Sequence, residues 1–139
     1  GHARAWQAAD GTLKRDWPLT IKSGAVAFSP RGDWLALGTS EGEVELSEIA
    51  TLTTKRLLRT GSAFVTAIVF SPDGSRLIVG GSSGLIQVFA TDDGRELLSL
   101  TTGGPPSTGN TLITSLAMDP AGKVLAAYRT DGRVRVWRH

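Results

Sequence analysis

The chain has 139 residues, 40% of them hydrophobic and 20% charged, which is the composition of one folded domain with a buried core and not of a disordered segment. Fifteen Lys and Arg against thirteen Asp and Glu leave a net charge of only +2, a poor footprint for nucleic acid, and the absence of cysteine excludes disulfides and thiolate metal sites. No apolar run approaches the roughly 18 residues of a spanning helix, so the expectation is a soluble, cytoplasmic chain that engages no membrane.

Gly1-His2 has the look of what a cleaved purification tag leaves behind, and the text proper begins at Ala3-Arg4-Ala5-Trp6. Trp6 through Gly11 lines up with Phe89 through Gly94 further on, which predicts the tail of one strand, a turn, and a second strand around residues 13–17. A fuller pattern then follows. Residues 25–28, 34–37, 43–46 and 55–58 are short apolar or alternating runs separated by turn residues, predicting four strands. The second copy is the clearest: strands at 65–70, 76–80, 85–89 and 96–100, with turns at Ser71-Pro72-Asp73-Gly74, Ser82-Ser83-Gly84 and Asp92-Asp93-Gly94. In the first of these turns Pro presets φ and Gly accepts a positive one. The third copy has strands at 113–118, 124–128 and 133–137 and no fourth. The predicted count is two, four, four and three strands.

The copies are in register. Phe28-Ser29-Pro30-Arg31-Gly32, Phe70-Ser71-Pro72-Asp73-Gly74 and Met118-Asp119-Pro120-Ala121-Gly122 recur at 42 and then 48 residues, and each is followed at the same distance by Gly42, Gly84 and Gly132. The extra residues of the longer interval are assigned to the segment Gly103-Gly104-Pro105-Pro106-Ser107-Thr108-Gly109-Asn110, whose prolines cannot donate to a ladder. Nearly continuous apolar character in the first two strands of the second copy implies a sheet covered on both faces, as when sheets stack.

An apolar strand ending in Phe-Ser-Pro-Asp-Gly, then Leu-x-x-Gly, then Gly-x-Ile-x-Val-Phe or Trp resembles the WD-repeat β-propellers, over nearly the whole chain. The fold class implied is all-β, with blades of four antiparallel strands in an incomplete ring closed by self-association. Residues 1–2 are then a tag remnant, 3–22 the end of a blade, 23–60 and 61–102 blades, 103–111 a loop, and 112–139 a blade lacking its outer strand. The dipeptide that names the family is eroded, reading Trp6-Gln7, Ser47-Glu48, Phe89-Ala90 and Trp137-Arg138. The only histidines are His2 and His139, so the family's polar network of His, Ser or Thr, Asp and Trp cannot form fully, and blade stability is expected to rest on apolar stacking. Three blades' worth of strands would leave apolar end faces in water, which predicts a homodimeric propeller of six blades, an eight-sheet variant of it, or a piece of a larger propeller protein.

No imidazole is placed to activate a nucleophile, no His or Cys set could hold a metal, and the acidic residues lack calcium-loop spacing, so no catalytic, metal or cofactor site is expected. Gly80-Gly81-Ser82-Ser83-Gly84 joins two strands and is read as a hairpin, not a phosphate cradle. The resemblance implies a non-catalytic protein–protein interaction scaffold with an unidentified protein or peptide partner. By resemblance alone, Ser40, Phe64, Thr66, Ser82, Thr114 and Thr130 occupy the partner-binding rim. Trp17 and Trp34, large aromatics in or beside turns, are added as partner anchors, a role that packing between blades would explain equally well. The alternative is a small-molecule or nucleic-acid binding module using the channel or the run Arg129, Arg133, Arg135 and Arg138 with Tyr128 and Trp137. Alternation on the last strand favours ordinary sheet structure there, with Arg133, Arg135 and Trp137 on one face and Val134 and Val136 on the other.

Overall fold

A computed structural model describes residues 2–18, 23–51, 53–102 and 111–138, and for residues 3, 17, 18 and 23 the backbone only. The strands are β1 (His2–Trp6), β2 (Leu13–Pro18), β3 (Ser23–Phe28), β4 (Trp34–Thr39), β5 (Glu43–Glu48), β6 (Thr53–Arg59), β7 (Val65–Phe70), β8 (Arg76–Gly81), β9 (Leu85–Ala90), β10 (Glu96–Thr101), β11 (Ile113–Met118), β12 (Val124–Arg129) and β13 (Val134–Arg138). They form an antiparallel hairpin β1-β2, four-stranded sheets β3-β4-β5-β6 and β7-β8-β9-β10, and a three-stranded sheet β11-β12-β13. Strand number and order follow the sequence reading. His2, assigned above to a tag, opens β1, with its ring Nδ1 2.8 Å from Asp16 Oδ1 on β2. The segment 103–110 lies outside the described residues.

The turn that recurs in the sequence is built the same way each time. In the second sheet Gly74 N–H donates to the Ser71 carbonyl at 2.8 Å, and Ser71 Oγ accepts from Arg76 N–H at 3.0 Å. In the first sheet Ser29 does both for Gly32 and Trp34, each at 2.9 Å. Asp119 stands where the serine should be in the third sheet, and its carboxylate takes over the acceptor role, receiving Val124 N–H at 2.7 Å. Each of these turns needs positive φ at its glycine, and Gly74 has φ 74°.

The sheets stack in chain order with like ends together. A β-carbon on Gly122 would lie 3.3 Å from Pro72 Cδ, which sets one first-turn against the next, and at the other end one on Gly42 would lie 1.8 Å from the Ser62 carbonyl oxygen. Two cores result. Val44, Leu46 and Leu58 of the first sheet meet Val65, Leu77, Val79 and Phe89 of the second. Ile78, Ile86 and Val88, from the second sheet's opposite face, meet Ile113, Leu125 and Ala127 of the third. The continuous run Leu77-Ile78-Val79 is thus apolar because alternate residues serve different cores. Close approach is paid for with glycine: a β-carbon on Gly38 would lie 2.4 Å from Val65 Cγ1, and one on Gly80 2.6 Å from Ile113 Cγ2. The architecture is that of propeller blades in an arc whose ring is not closed.

One feature of the strands departs from simple alternation. The register slips between Ser23 and Ala25, between Val65 and Ala67, and between Ile113 and Ser115, at the same point of each inner strand. A β-bulge, one residue extra on one strand, therefore sits at Gly24, Thr66 and Thr114.

Candidate partner-binding rim

Strand direction assigns the predicted residues to ends. The starts of β7 and β11 and the turns β4–β5, β8–β9 and β12–β13 share one end, here the upper, which carries Ser40, Phe64, Thr66, Ser82, Thr114 and Thr130. Trp34 begins β4 and so lies at the lower end, away from the other six, half-buried against the first core. Trp17 pairs with Ala3 across the opening hairpin, and its side chain lies outside those described.

Several of the rim hydroxyls are committed to the fold. Ser82 Oγ accepts from Ala63 N–H at 3.0 Å and Phe64 N–H at 3.3 Å, while Ser82 N–H donates to the Phe64 carbonyl at 3.1 Å. Thr130 repeats the clamp one blade on, exchanging bonds with Leu112 through its Oγ1 and its N–H, both at 3.1 Å. Thr66 and Thr114 are the bulge residues. Thr66 Oγ1 donates to the Gly80 carbonyl at 3.2 Å and also contacts the Ile113 carbonyl of the next sheet, and Thr114 Oγ1 donates to the Tyr128 carbonyl at 3.1 Å. These hydroxyls answer carbonyls beside the bulge, where ladder pairing is disturbed. Phe64 and Ser40 remain exposed, and beside Phe64 the pair Ser62 Oγ and Ser83 Oγ meet at 2.7 Å. Ser62 and Ser83 were missed in the sequence, because a small polar residue in a turn carries no signal of its own.

The arginine run does not form one surface. Arg129 is buried, its Nη1 donating to the Thr102 carbonyl at 3.2 Å and its Nη2 3.2 Å from Asp131 Oδ2. Its register on β12, in step with Leu125 and Ala127, turns it toward the second sheet. Trp137 packs on the same core, and the basic residues of the run that are exposed are Arg133, just before β13, and Arg135 and Arg138 on it. Among the described residues no group of three His, Cys, Asp or Glu gathers as a metal site would require, and no helix is long and apolar enough to cross a membrane.

The two end faces of the arc differ from the covered ones. Val26 and Phe28 on β3 are 62% and 59% exposed, and Val134 and Val136 on β13 are 60% and 52% exposed, with Tyr128 beside them on β12. Tyr128 stands at the register held by Gly38 and Gly80 in the earlier sheets.

Residues 26–106 match the family model described as the WD40 domain of anaphase-promoting complex subunit 4, and residues 98–138 match that of the WD domain, G-beta repeat. The chain is 30% identical to SEC12-like protein 1 of Arabidopsis thaliana over 121 residues, 82% of this chain and 29% of that protein. It is 32% identical over 114 residues to WD repeat-containing protein 1 of Rattus norvegicus, 81% of this chain and 18% of that protein. Over 85 residues it is 32% identical to Echinoderm microtubule-associated protein-like 2 of the same species, 60% and 13% of the two chains. The chain thus spans less than a third of the length of each of these three relatives.

Proposed function

This chain belongs to the WD40-repeat family, and from that premise we propose that it is a non-catalytic protein–protein interaction scaffold that completes its ring with a second copy of itself. The observation that carries the assembly is the pair of open apolar faces, Val26 with Phe28 at one end of the arc and Tyr128 with Val134 and Val136 at the other. Contiguous exposed apolar surface of this kind marks an interface. Inside the arc a β-branched residue, Val65 or Ile113, seats against glycine, Gly38 or Gly80. At the far end a tyrosine stands at 128, the register of the glycines, and adds to the open apolar face. A two-fold arrangement that sets the last sheet of one copy against the first full sheet of another closes both junctions at once. Partner proteins are then met by the upper rim, with Phe64 as the exposed aromatic and Ser40, Thr114 and Thr130 around it, on a scaffold held rigid by the Ser82 and Thr130 clamps.

Light scattering after size exclusion tests the assembly. The expected species has twice the chain mass of 14.6 kDa, and Val136→Glu, a change at an exposed position, converts it to a folded monomer. A folded, monodisperse wild type at 14.6 kDa overturns self-assembly, and a Val136→Glu protein that stays dimeric overturns the face assigned to it.

A further inference from the structure

Between β10 of the second sheet and the face of the third, an open groove of about 530 Å³ runs up from the lower end. That volume lies in the range of ligand pockets. Ile78, Val88, Leu98 and Leu100 form its wall on the second sheet, and Leu125 and Trp137 the facing wall on the third. The charged part is gathered at one end. Arg76 opens β8, Lys123 immediately precedes β12 and Arg138 closes β13, so all three stand at the lower mouth. Arg76 pairs with Ala90 at that level, whereas Leu98 and Leu100 lie further up, opposite Val88 and Ile86.

No acidic residue lines the groove. Arg76, Lys123 and Arg138 make no ion pair and no side-chain hydrogen bond among the described residues. Asp119, the carboxylate nearest Lys123 along the chain, turns its Oδ1 to the N–H groups of Lys123 and Val124 at 2.6 and 2.7 Å. The junction one sheet earlier is built differently. Trp34 opens β4, Ser75 precedes β8 and Ala90 closes β9, so none of the three cations has a charged counterpart there. At the register of Leu98 stands Arg56, whose guanidinium bonds the Asp92 carbonyl, and at that of Leu100 stands Leu58, which is buried. The β9–β10 turn covers Leu58, since a β-carbon on Gly94 would lie 2.7 Å from its Cδ2, whereas Leu98 is exposed and Leu100 half-buried. An apolar trough with unpaired cations at one end is therefore particular to this junction and not a habit of the repeat.

We propose that the groove binds a free long-chain carboxylate, with its head among Arg76, Lys123 and Arg138 and its aliphatic chain along Leu98 and Leu100 against Trp137. The separation of charge from apolar wall selects this occupant. An extended acidic peptide alternates, and would set carboxylates along the leucines as well as at the mouth. The hairpin of a second copy brings Arg4, Lys14 and Arg15 against Asp10 and Asp16, cations to cations. One aliphatic chain ending in one carboxylate matches both features: four residues of strand give it about 13 Å of apolar wall, and the cations meet its head in charge-assisted bonds. The site lies between two sheets of one copy, on the face of the third sheet opposite Val134 and Val136, so it goes beyond the scaffold reading and survives the failure of the dimer.

The test is isothermal titration of the 139-residue chain with dodecanoate at neutral pH, below the concentration at which dodecanoate forms micelles. Saturable binding at a single site is expected. Dodecanol, with the same chain and no charge, binds about tenfold more weakly, and so does dodecanoate to the double variant Lys123→Gln, Arg138→Gln, the scale of lost charge-assisted bonds. Leu98→Glu, at an exposed position, sets a like charge in the path of the ligand and abolishes binding. Far-UV circular dichroism of each variant matches wild type. Arg133→Gln and Val136→Glu leave the affinity unchanged. No saturable binding, equal affinity for dodecanol, or full affinity in the double variant or in Leu98→Glu overturns the proposal. So does loss on Val136→Glu, which moves the ligand to the open end face. Sedimentation with anionic phospholipid vesicles in place of dodecanoate binding overturns it too, and assigns the cations to a membrane surface.

Discussion

The second and third sheets follow one pattern of apolar runs and turns and fold to the same register, down to the bulge at Thr66 and Thr114, yet they live in different surroundings. Ile86 and Val88 on β9 are buried between sheets, while Val134 and Val136, their counterparts on β13, are largely in water. The strands themselves form regardless. What a repeat encodes locally is the sheet; what it cannot encode alone is the neighbour that buries the sheet's second face. The length of the apolar run is therefore no measure of the stability it supplies, because an alternate residue contributes only when another sheet is there to receive it.

Ile86→Ala removes a fully buried side chain from the second core and should cost about 2–5 kcal/mol, whereas Val134→Ala at the matching place should stay within about 0.5 kcal/mol in dilute solution. Urea melts of the two variants at low protein concentration measure both. Equal losses would mean that the outer face of β13 is already covered in the isolated chain.

The bulge residues of the two sheets differ in what their hydroxyls reach. Thr66 bonds its own sheet at Gly80 and touches the next at Ile113, and Thr114 bonds only Tyr128 of its own sheet. Thr66→Val should therefore cost about 1 kcal/mol, the net value of a hydrogen bond whose carbonyl partner stays part-buried, and Thr114→Val, at an exposed site, clearly less. The same denaturation experiment reads both, and a reversed order would show that the bond between sheets contributes nothing.

Strand order and the arc were legible because each rests on local chemistry: runs of Val, Ile and Leu closed by Ser-Pro-x-Gly or Gly turns, repeated at a constant phase. The bulge was not, since Val65-Thr66-Ala67 looks like plain alternation and the slip is decided by hydrogen bonds to β8. Arg129 entered the alternative reading of a basic surface only through its proximity to Arg133 and Arg135. Counting by twos from Leu125 and Ala127 would have turned it inward, but a buried guanidinium becomes believable only once the Thr102 carbonyl and Asp131 are seen around it. Trp34, chosen in the sequence as an anchor, packs against the first core, and its place at the lower end follows from the turn it closes. The groove beside β10 needed coordinates, because Arg76, Lys123 and Arg138 come from separate strands and turns.

The smallest effect concerns acid. Asp73 caps the second sheet's turn, and hydrogen bonds from Ser71 Oγ, then from Ser75 N–H and Oγ, hold its carboxyl down to about 2 from an ordinary 3.8. Its folded pKa is the lower one, so the stability it contributes is fully present above pH of about 4 and is lost as pH falls toward about 2. The third sheet's turn reaches a similar end by another route: Asp119 occupies the serine position and is lowered chiefly by the Val124 N–H. Asp73→Asn should leave thermal unfolding with a shallower decline between pH 4 and 2 and a constant offset from wild type above pH 5. An unchanged acid slope would assign the decline to other carboxylates, Asp33 and Asp119 first, because both are depressed by hydrogen bonds in the equivalent turns.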